Sequence, residues 1–287
     1  MRYKFMRFPG GRPKALTLSY DDGVRADLRL CEILEKHGLK CTFNLNSAYF
    51  IGEAARPGKI TPDEIREHIL AKGHEIAVHG KQHLAPGIAS PVIAIRDVLE
   101  CRDEMEREFG MIIRGMAYPD SGITKMHTGN DYATVRSYLA DLGIVYSRTL
   151  GGDNNSFMMP SDFYAWMPTA HHNNPNLMEW ADEFLAEDGH NKIITRRYPR
   201  LFYLWGHSYE FDNNDNWELM EAFAEKMGGK DNIWYATNME IFEYTEAYQR
   251  LVCSADGTRI YNPSLIEVFL HVDGKECSVK PGQTLCI

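Results

Sequence analysis

The chain has no cysteine pair at Cys-x-x-Cys spacing, no long apolar run, no surplus of basic residues and no internal repeat. Its six cysteines stand apart at 31, 41, 101, 253, 277 and 286, which excludes a zinc ribbon and a dithiol redox motif. Cys31, Cys41 and Cys101 fall in apolar-patterned segments and read as small core residues, so a reducing compartment is the expected setting. No stretch approaches the roughly 20 apolar residues that cross a bilayer. The basic segment 1–14 has no apolar run behind it resembling an export signal. A cytoplasmic location is therefore expected. Lys and Arg number 31 against 40 Asp and Glu, a formal charge of −9. Nucleic acid and anionic membrane both favour basic surfaces, so neither is an expected partner.

What is present is an ordinary globular composition, 44% hydrophobic and 25% charged over 287 residues, long enough for one large α/β domain. Apolar runs that read as strands occur at 15–20, 41–45, 75–78, 112–118, 144–147, 201–205 and 233–236. Helical patterns separate them at 27–37, 61–72, 91–109, 132–142, 176–186 and 217–227, with a last one at 239–248. Thr61-Pro62-Asp63-Glu64 is a strong helix start, with an N-cap threonine, proline at N1 and glutamate at N3. Regular alternation of this kind predicts an α/β fold, a distorted or incomplete (β/α) TIM-like barrel of about seven parallel strands. The connection 149–169, rich in Gly, Asn and aromatics, is long enough to overhang the barrel mouth. After 251 the pattern turns short and β-rich, with turn signals at Asp273-Gly274 and Pro281-Gly282. We expect a barrel over 1–251 and a small antiparallel β extension over 252–287, which caps the barrel bottom or forms an oligomer contact.

The polar residues at strand ends carry the chemistry. Ser19-Tyr20-Asp21-Asp22-Gly23 closes the first strand, His79-Gly80-Lys81-Gln82-His83 follows the third, and His207 follows the sixth. Parallel barrels place their active sites at these ends. One carboxylate with two imidazoles suits a hydrolytic metal and leaves a coordination position open, and the second carboxylate is then free to act as a base. His171-His172 lies in an Asn-rich stretch and is expected to be solvated. Glu210, three residues after His207, either orients that histidine or lies on the surface. Tyr203, Trp205 and Tyr209 read equally as a sugar-stacking wall or as core.

These segments resemble a known family. Ser-Tyr-Asp-Asp-Gly and His-x-x-x-His are similar to the first two motifs of the polysaccharide deacetylases, the NodB-homology group of carbohydrate esterase family four. Ala117-Tyr118-Pro119 with Gly122 is similar to the third motif, and the strand ending in His207 to the last, so the resemblance spans roughly 15–240. It implies a hydrolase that removes acetyl groups from an N-acetylated glycan or oligosaccharide. It implies that Asp22, His79 and His83 hold a divalent metal, zinc before cobalt or nickel. Asp21 would be the general base and His207 the acid that protonates the leaving amine. Tyr118 would offer its backbone N–H to the oxyanion, with Pro119 and Trp205 beside the acetyl group. Ala117 stands where the family usually has an arginine beside the base, and Arg114 is out of register. Asp153, Asp162 and Trp166 are candidates for supporting the acid. Competing readings are a carbohydrate-binding barrel that keeps the metal without turnover, and a hydrolase of non-sugar amides. A sugar isomerase is disfavoured by the histidine pair.

Overall fold

The computed structural model describes residues 1, 3–52, 56–150, 156–186 and 197–287. Strand β1 (Lys4–Arg7) precedes a sheet built from β2 (Lys14–Asp21), β3 (Cys41–Leu45), β4 (Glu75–Val78), β5 (Gly115–Ala117), β6 (Tyr146–Arg148), β7 (Ala170–His171), β8 (Arg200–Gly206) and β9 (Ile233–Tyr235). The order is β6-β5-β4-β3-β2-β8-β7, all parallel, with β9 joined to β2. β9 pairs with Lys14–Leu16, below the point where β3 begins to pair at Leu18. A single bridge from Arg148 to Trp166 links the β6 edge to the segment that enters β7. The result is the expected distorted barrel, closed on that side by one irregular connection. All seven expected strands are present. β7 is an addition, and its two residues are too few to leave a periodic pattern in sequence.

The helices are α1 (Ala26–His37), α2 (starting at Pro62–Glu64), α3 (Pro91–Phe109), α4 (Tyr132–Asp141), α5 (Leu177–Ala186), α6 (Tyr209–Asn213), α7 (Trp217–Met227) and α8 (Asn238–Gln249). α2 opens on the expected capping box of Thr61 and Glu64, then continues as a π turn at Ile65–Ile69 and a 3₁₀ turn at Leu70–Lys72. Asp27 lies inside α1. It sits fully buried in the first turn, where one carboxylate oxygen accepts from the Val24 N–H at 3.0 Å and the other from the Ser208 hydroxyl at 2.5 Å. This carboxyl ties the turn after Asp22 to the residue after His207. Burial lifts its pKa to about 7. None of the helices among the described residues is long and apolar enough to cross a membrane.

Residues after 251 form β10 (Val252–Cys253), β11 (Arg259–Tyr261), β12 (Val268–Val272), β13 (Lys275–Val279) and β14 (Thr284–Cys286). They make two three-stranded antiparallel sheets, and β1 from the start of the chain is a strand of one of them. It pairs with β12 from Lys4 opposite Val272 to Arg7 opposite Phe269. The Tyr244 hydroxyl of α8 locks the pair, donating to the Arg7 carbonyl at 2.6 Å and accepting from the Phe269 N–H at 2.8 Å. Ala247, Leu251, Ile260, Val268, Leu270, Val272 and Val279 fill the space between α8 and these sheets. Leu270 is fully buried there. Leu270→Ala should therefore lower stability by about 2–5 kcal/mol, measured by urea unfolding. Bound metal per chain should not change, because no residue of this cluster lines the cavity described next. An unchanged unfolding midpoint would show that the extension is not packed as a core.

Candidate active site

Four strand ends meet around one cavity of about 300 Å³, lined by Asp21, Asp22, His79, His83, Tyr118, Asp120, Leu150, Trp205, His207 and Tyr209. β2 delivers the aspartates, β4 delivers His79, β5 leads into Tyr118 and Asp120, and β8 carries Trp205 and leads into His207.

Asp22 Oδ1 lies 3.8 Å from His79 Nε2 and 3.7 Å from His83 Nε2. Donors each about 2.1 Å from one ion stand at most about 4.2 Å apart, so Asp22 is within reach of an ion shared with either histidine, and one ligand atom from each of the three residues lies within 4.8 Å of the others. The state of His79 agrees. Its Nδ1 is 2.9 Å from the Ala117 carbonyl, an acceptor that requires the proton on Nδ1 and leaves the Nε2 lone pair free. That Nε2 is buried and has no hydrogen-bond partner among the described residues. A cation shared with Asp22 and His83 would satisfy it. Burial holds the pKa of His79 below the ordinary value against the pull of Asp21 and Asp22, so the ring is neutral as a ligand must be.

The two histidines do not share a helical turn, as the i, i+4 spacing suggests. Residues 79–83 form an irregular loop in which Gly80 and His83 take φ of 71° and 60°. The buried side chain of Asn46 donates to the carbonyls of His79 and Gly80 at 2.5 and 3.0 Å. Asp97 on α3 accepts from the Gln82 N–H at 2.8 Å. A Cβ on Gly80 would overlap the Asp97 carboxylate, so only glycine lets α3 approach and turn His83 toward Asp22.

Asp21 is 2% exposed. One of its oxygens pairs with the Arg148 guanidinium, and the other accepts from the Asn44 side chain at 2.8 Å. Arg148 ends β6 and stands directly opposite Ala117 in the ladder. The arginine absent at 117 is thus supplied by the neighbouring strand at the paired position. It is fully buried, and its guanidinium lies 4.3 Å from the Trp205 ring centroid. Burial pushes the Asp21 carboxyl up, but Arg148, His79, His207 and the Asn44 hydrogen bond together hold it below the usual carboxylate value.

His207 turns Nε2 toward Asp21, 3.9 Å away, and Nδ1 toward Glu210 Oε1 at 2.9 Å. Glu210 is no idle surface residue. Its Oε2 accepts from Asn173 Nδ2 at 2.7 Å and lies 3.1 and 3.4 Å from Nε2 of His172 and His171. The pair expected to be solvated is therefore split. His171 is partly exposed, whereas His172 is 1% exposed, with its ring stacked on Tyr20 at 5.7 Å and Phe211 at 4.2 Å. Gly206 leaves the room for it, since a Cβ there would overlap the His172 ring. Burial lowers the pKa of His207, but the Glu210 hydrogen bond with Asp21 and Asp22 outweighs it, and the net shift is upward. Burial raises Glu210 in turn, but the close approach of His172 and the hydrogen bond with His207 hold it well below the ordinary glutamate value. Neither described candidate for supporting the acid does so. Asp162 accepts from the Tyr164 N–H and the Tyr132 hydroxyl, Trp166 is buried against Tyr146 and Tyr203, and Asp153 lies outside the described residues.

The backbone N–H of Tyr118 donates to the Arg148 carbonyl at 2.9 Å, so it is not available to an oxyanion. The ladder that brings in Arg148 consumes it. Its side chain lines the cavity and its hydroxyl donates to the Tyr164 carbonyl at 2.8 Å. Pro119 has no N–H and sits behind the wall, against Gly80. The next backbone donor is Asp120, whose N–H has no partner among the described residues. Trp205 and Tyr209 line the cavity. Tyr203 is core, its hydroxyl accepting from Asn238 Nδ2 at 2.7 Å. Of the long connection expected to overhang the mouth, Leu150 lines the cavity and 151–155 lie outside the described residues.

Comparison with known proteins places this geometry in context. The family model described as polysaccharide deacetylase matches residues 9–146. A Mycobacterium smegmatis protein assigned as a polysaccharide deacetylase is 17% identical, over 87% of this chain and 96% of its own, with a TM-score of 0.57. A probable polysaccharide deacetylase from Pseudomonas aeruginosa PAO1 is 15% identical, over 82% and 92%, with a TM-score of 0.55. Puue allantoinase is 15% identical, over 82% and 91%, with a TM-score of 0.56. No curated protein matches the sequence. At such identities the solved structures speak to the fold alone.

Proposed function

The chain belongs, through residues 9–146, to the polysaccharide deacetylase family, and from that premise and the cavity geometry we propose that it is a metal-dependent hydrolase releasing acetate from N-acetylated sugars. The observation that carries this reading is the orphaned Nε2 of His79 beside Asp22 and His83, with Asp21 and His207 facing each other across the same cavity. Asp22, His79 and His83 would hold a divalent ion, and two imidazoles with one carboxylate would favour zinc over cobalt or nickel. When bound, the ion polarises the amide carbonyl and lowers the pKa of water.

The chain's own residues do the rest. Asp21 takes the proton of the attacking water, and Arg148 with Asn44 keeps it ionised and fixes the direction of its free lone pairs. The backbone N–H of Asp120, in the role expected of Tyr118, donates to the developing oxyanion. Glu210 keeps the His207 proton on Nδ1 in the resting ring. When His207 is charged, Nε2 also carries a proton and faces the cavity. That proton goes to the leaving amine, which departs poorly without it. Trp205 walls the acetyl methyl. A cavity of about 300 Å³ is of a size to take one sugar ring. A non-sugar amide substrate is the second reading, motivated by the fold likeness to an allantoinase.

Dialysis against a chelator should abolish acetate release from N-acetylglucosamine oligomers, and one equivalent of zinc per chain should restore it. Undiminished turnover in metal-free protein would overturn the proposal. Turnover of allantoin-like ureides without acetate release from any sugar would favour the second reading.

A further inference from the structure

Most of the cavity's polar groups are already committed. Asp22, His79 and His83 face one another, Asp21 is paired with Arg148, and the Tyr118 hydroxyl serves the Tyr164 carbonyl. What remains for a substrate on the outer wall is the Asp120 carboxylate, the Tyr209 hydroxyl and the apolar side of Leu150. Asp120 is exposed, and among the described residues its carboxylate has neither a hydrogen-bond nor an ion-pair partner. Tyr209 is 36% exposed, and its hydroxyl is likewise unpartnered among the described residues. No lysine or arginine of the described residues lines the cavity. Arg148 lies behind Trp205, and Lys59 is turned away, its Nζ donating to the Asp22 carbonyl at 2.7 Å.

The backbone holds Asp120 in place. It takes φ of 48°, a left-handed conformation uncommon outside glycine, which Asp and Asn adopt more readily than other side chains. A turn fixes it, with the Gly122 N–H donating to the Pro119 carbonyl at 2.9 Å. Strained conformations of this kind cluster at functional sites. Here the turn sets an unpaired carboxylate at the cavity mouth of a chain whose formal charge is already −9.

We propose that Asp120 sets the charge selectivity of this site, admitting neutral or cationic N-acetylated amino sugars and rejecting analogues that carry a carboxylate or phosphate. It rests on the hydrolase reading above and adds the substrate's charge class to it. Hydroxyl, amide N–H or ammonium groups find an acceptor in Asp120, and an anion on the outer wall finds repulsion with no lysine or arginine of the lining to offset it.

The test is calorimetric titration of the zinc-loaded full chain with N-acetylglucosamine, glucosamine and N-acetylmuramic acid. Asp120→Asn is the matched variant, since asparagine keeps both the left-handed backbone and the N–H. The wild type should bind the carboxylate sugar more weakly than the neutral one. The Asn variant should shift the ratio of the two Kd values toward the anion by about tenfold, the scale of one partly screened charge near the ligand. An anion dissolved onto the metal alone would bind both proteins equally, so the shift between variants is the decisive quantity. An unchanged ratio, or binding of none of the three sugars, overturns the proposal. Acetate release from N-acetylglucosamine oligomers is followed separately. Its absence alongside intact charge selectivity would sink the hydrolase reading and leave the selective wall standing.

Discussion

Asp21→Asn should retain one equivalent of bound metal and lose acetate release by about 10²–10⁴-fold, the range general-base groups contribute. The amide is nearly the size of the carboxylate and can still accept from Asn44, so the metal ligands next to it have no reason to move. What it cannot do is take a proton from water. The substitution also leaves the buried Arg148 guanidinium without its counter-charge, and breaking a buried pair costs about 3–5 kcal/mol. A lower unfolding midpoint is therefore part of the expected result. The companion variant, Asp21→Asn with Arg148→Met, removes both charges, should recover part of the lost stability, and should be equally inactive. Near-normal turnover in either protein would remove Asp21 from the mechanism. Arg148→Met alone should lie between, because the carboxylate remains but loses its strongest ionising partner and its orientation. Burial would then act on Asp21 with less opposition, so the acid limb of the pH–rate profile should move upward.

The strand–helix alternation and the strand-end acids and histidines were legible in sequence because each is local: an apolar run, a cap, a motif of five residues. What escaped depended on pairing between distant segments. Arg148 lay one residue past the expected strand end at 147, and its relevance comes only from standing opposite Ala117 in the β5–β6 ladder. The same ladder removes the Tyr118 N–H from use, which no feature of Ala117-Tyr118-Pro119 could announce. His172 sits among asparagines, a composition that signals exposure. It is buried because β7 pairs with β8 and Gly206 leaves it space. The spacing of His79 and His83 correctly implied convergence but not its cause, which is a glycine-dependent loop gripped by Asn46 and Asp97. Glu210 was visible as a neighbour of His207, and the i, i+3 step across the start of α6 is the signal that brings its carboxylate to Nδ1.

The second large effect should separate substrates by their leaving group. His207→Ala should lose hydrolysis of N-acetylglucosamine oligomers by about a hundredfold or more. The same variant should keep hydrolysis of 4-nitrophenyl acetate within a few-fold. A nitrophenolate departs without protonation, so the acid has nothing to contribute, whereas an amine must be protonated to leave. Glu210→Gln should show the same asymmetry at smaller amplitude. The glutamine can still accept from Nδ1 but loses the charge that, with Asp21 and Asp22, raises the His207 pKa against burial. The alkaline limb of the amide pH–rate profile should accordingly move to lower pH in Glu210→Gln. Above its pKa His207 no longer carries the proton it must give, and losing the glutamate charge lowers that pKa. Metal content should stay at one equivalent in His207→Ala, since His207 belongs neither to the Asp22, His79 and His83 set nor to the His171, His172 and Glu210 cluster. A purely structural role for His207 and Glu210 makes the opposite forecast, a loss of similar size on amide and aryl ester together, with no displacement of the alkaline limb. Comparing kcat on the two substrates in each variant decides between them.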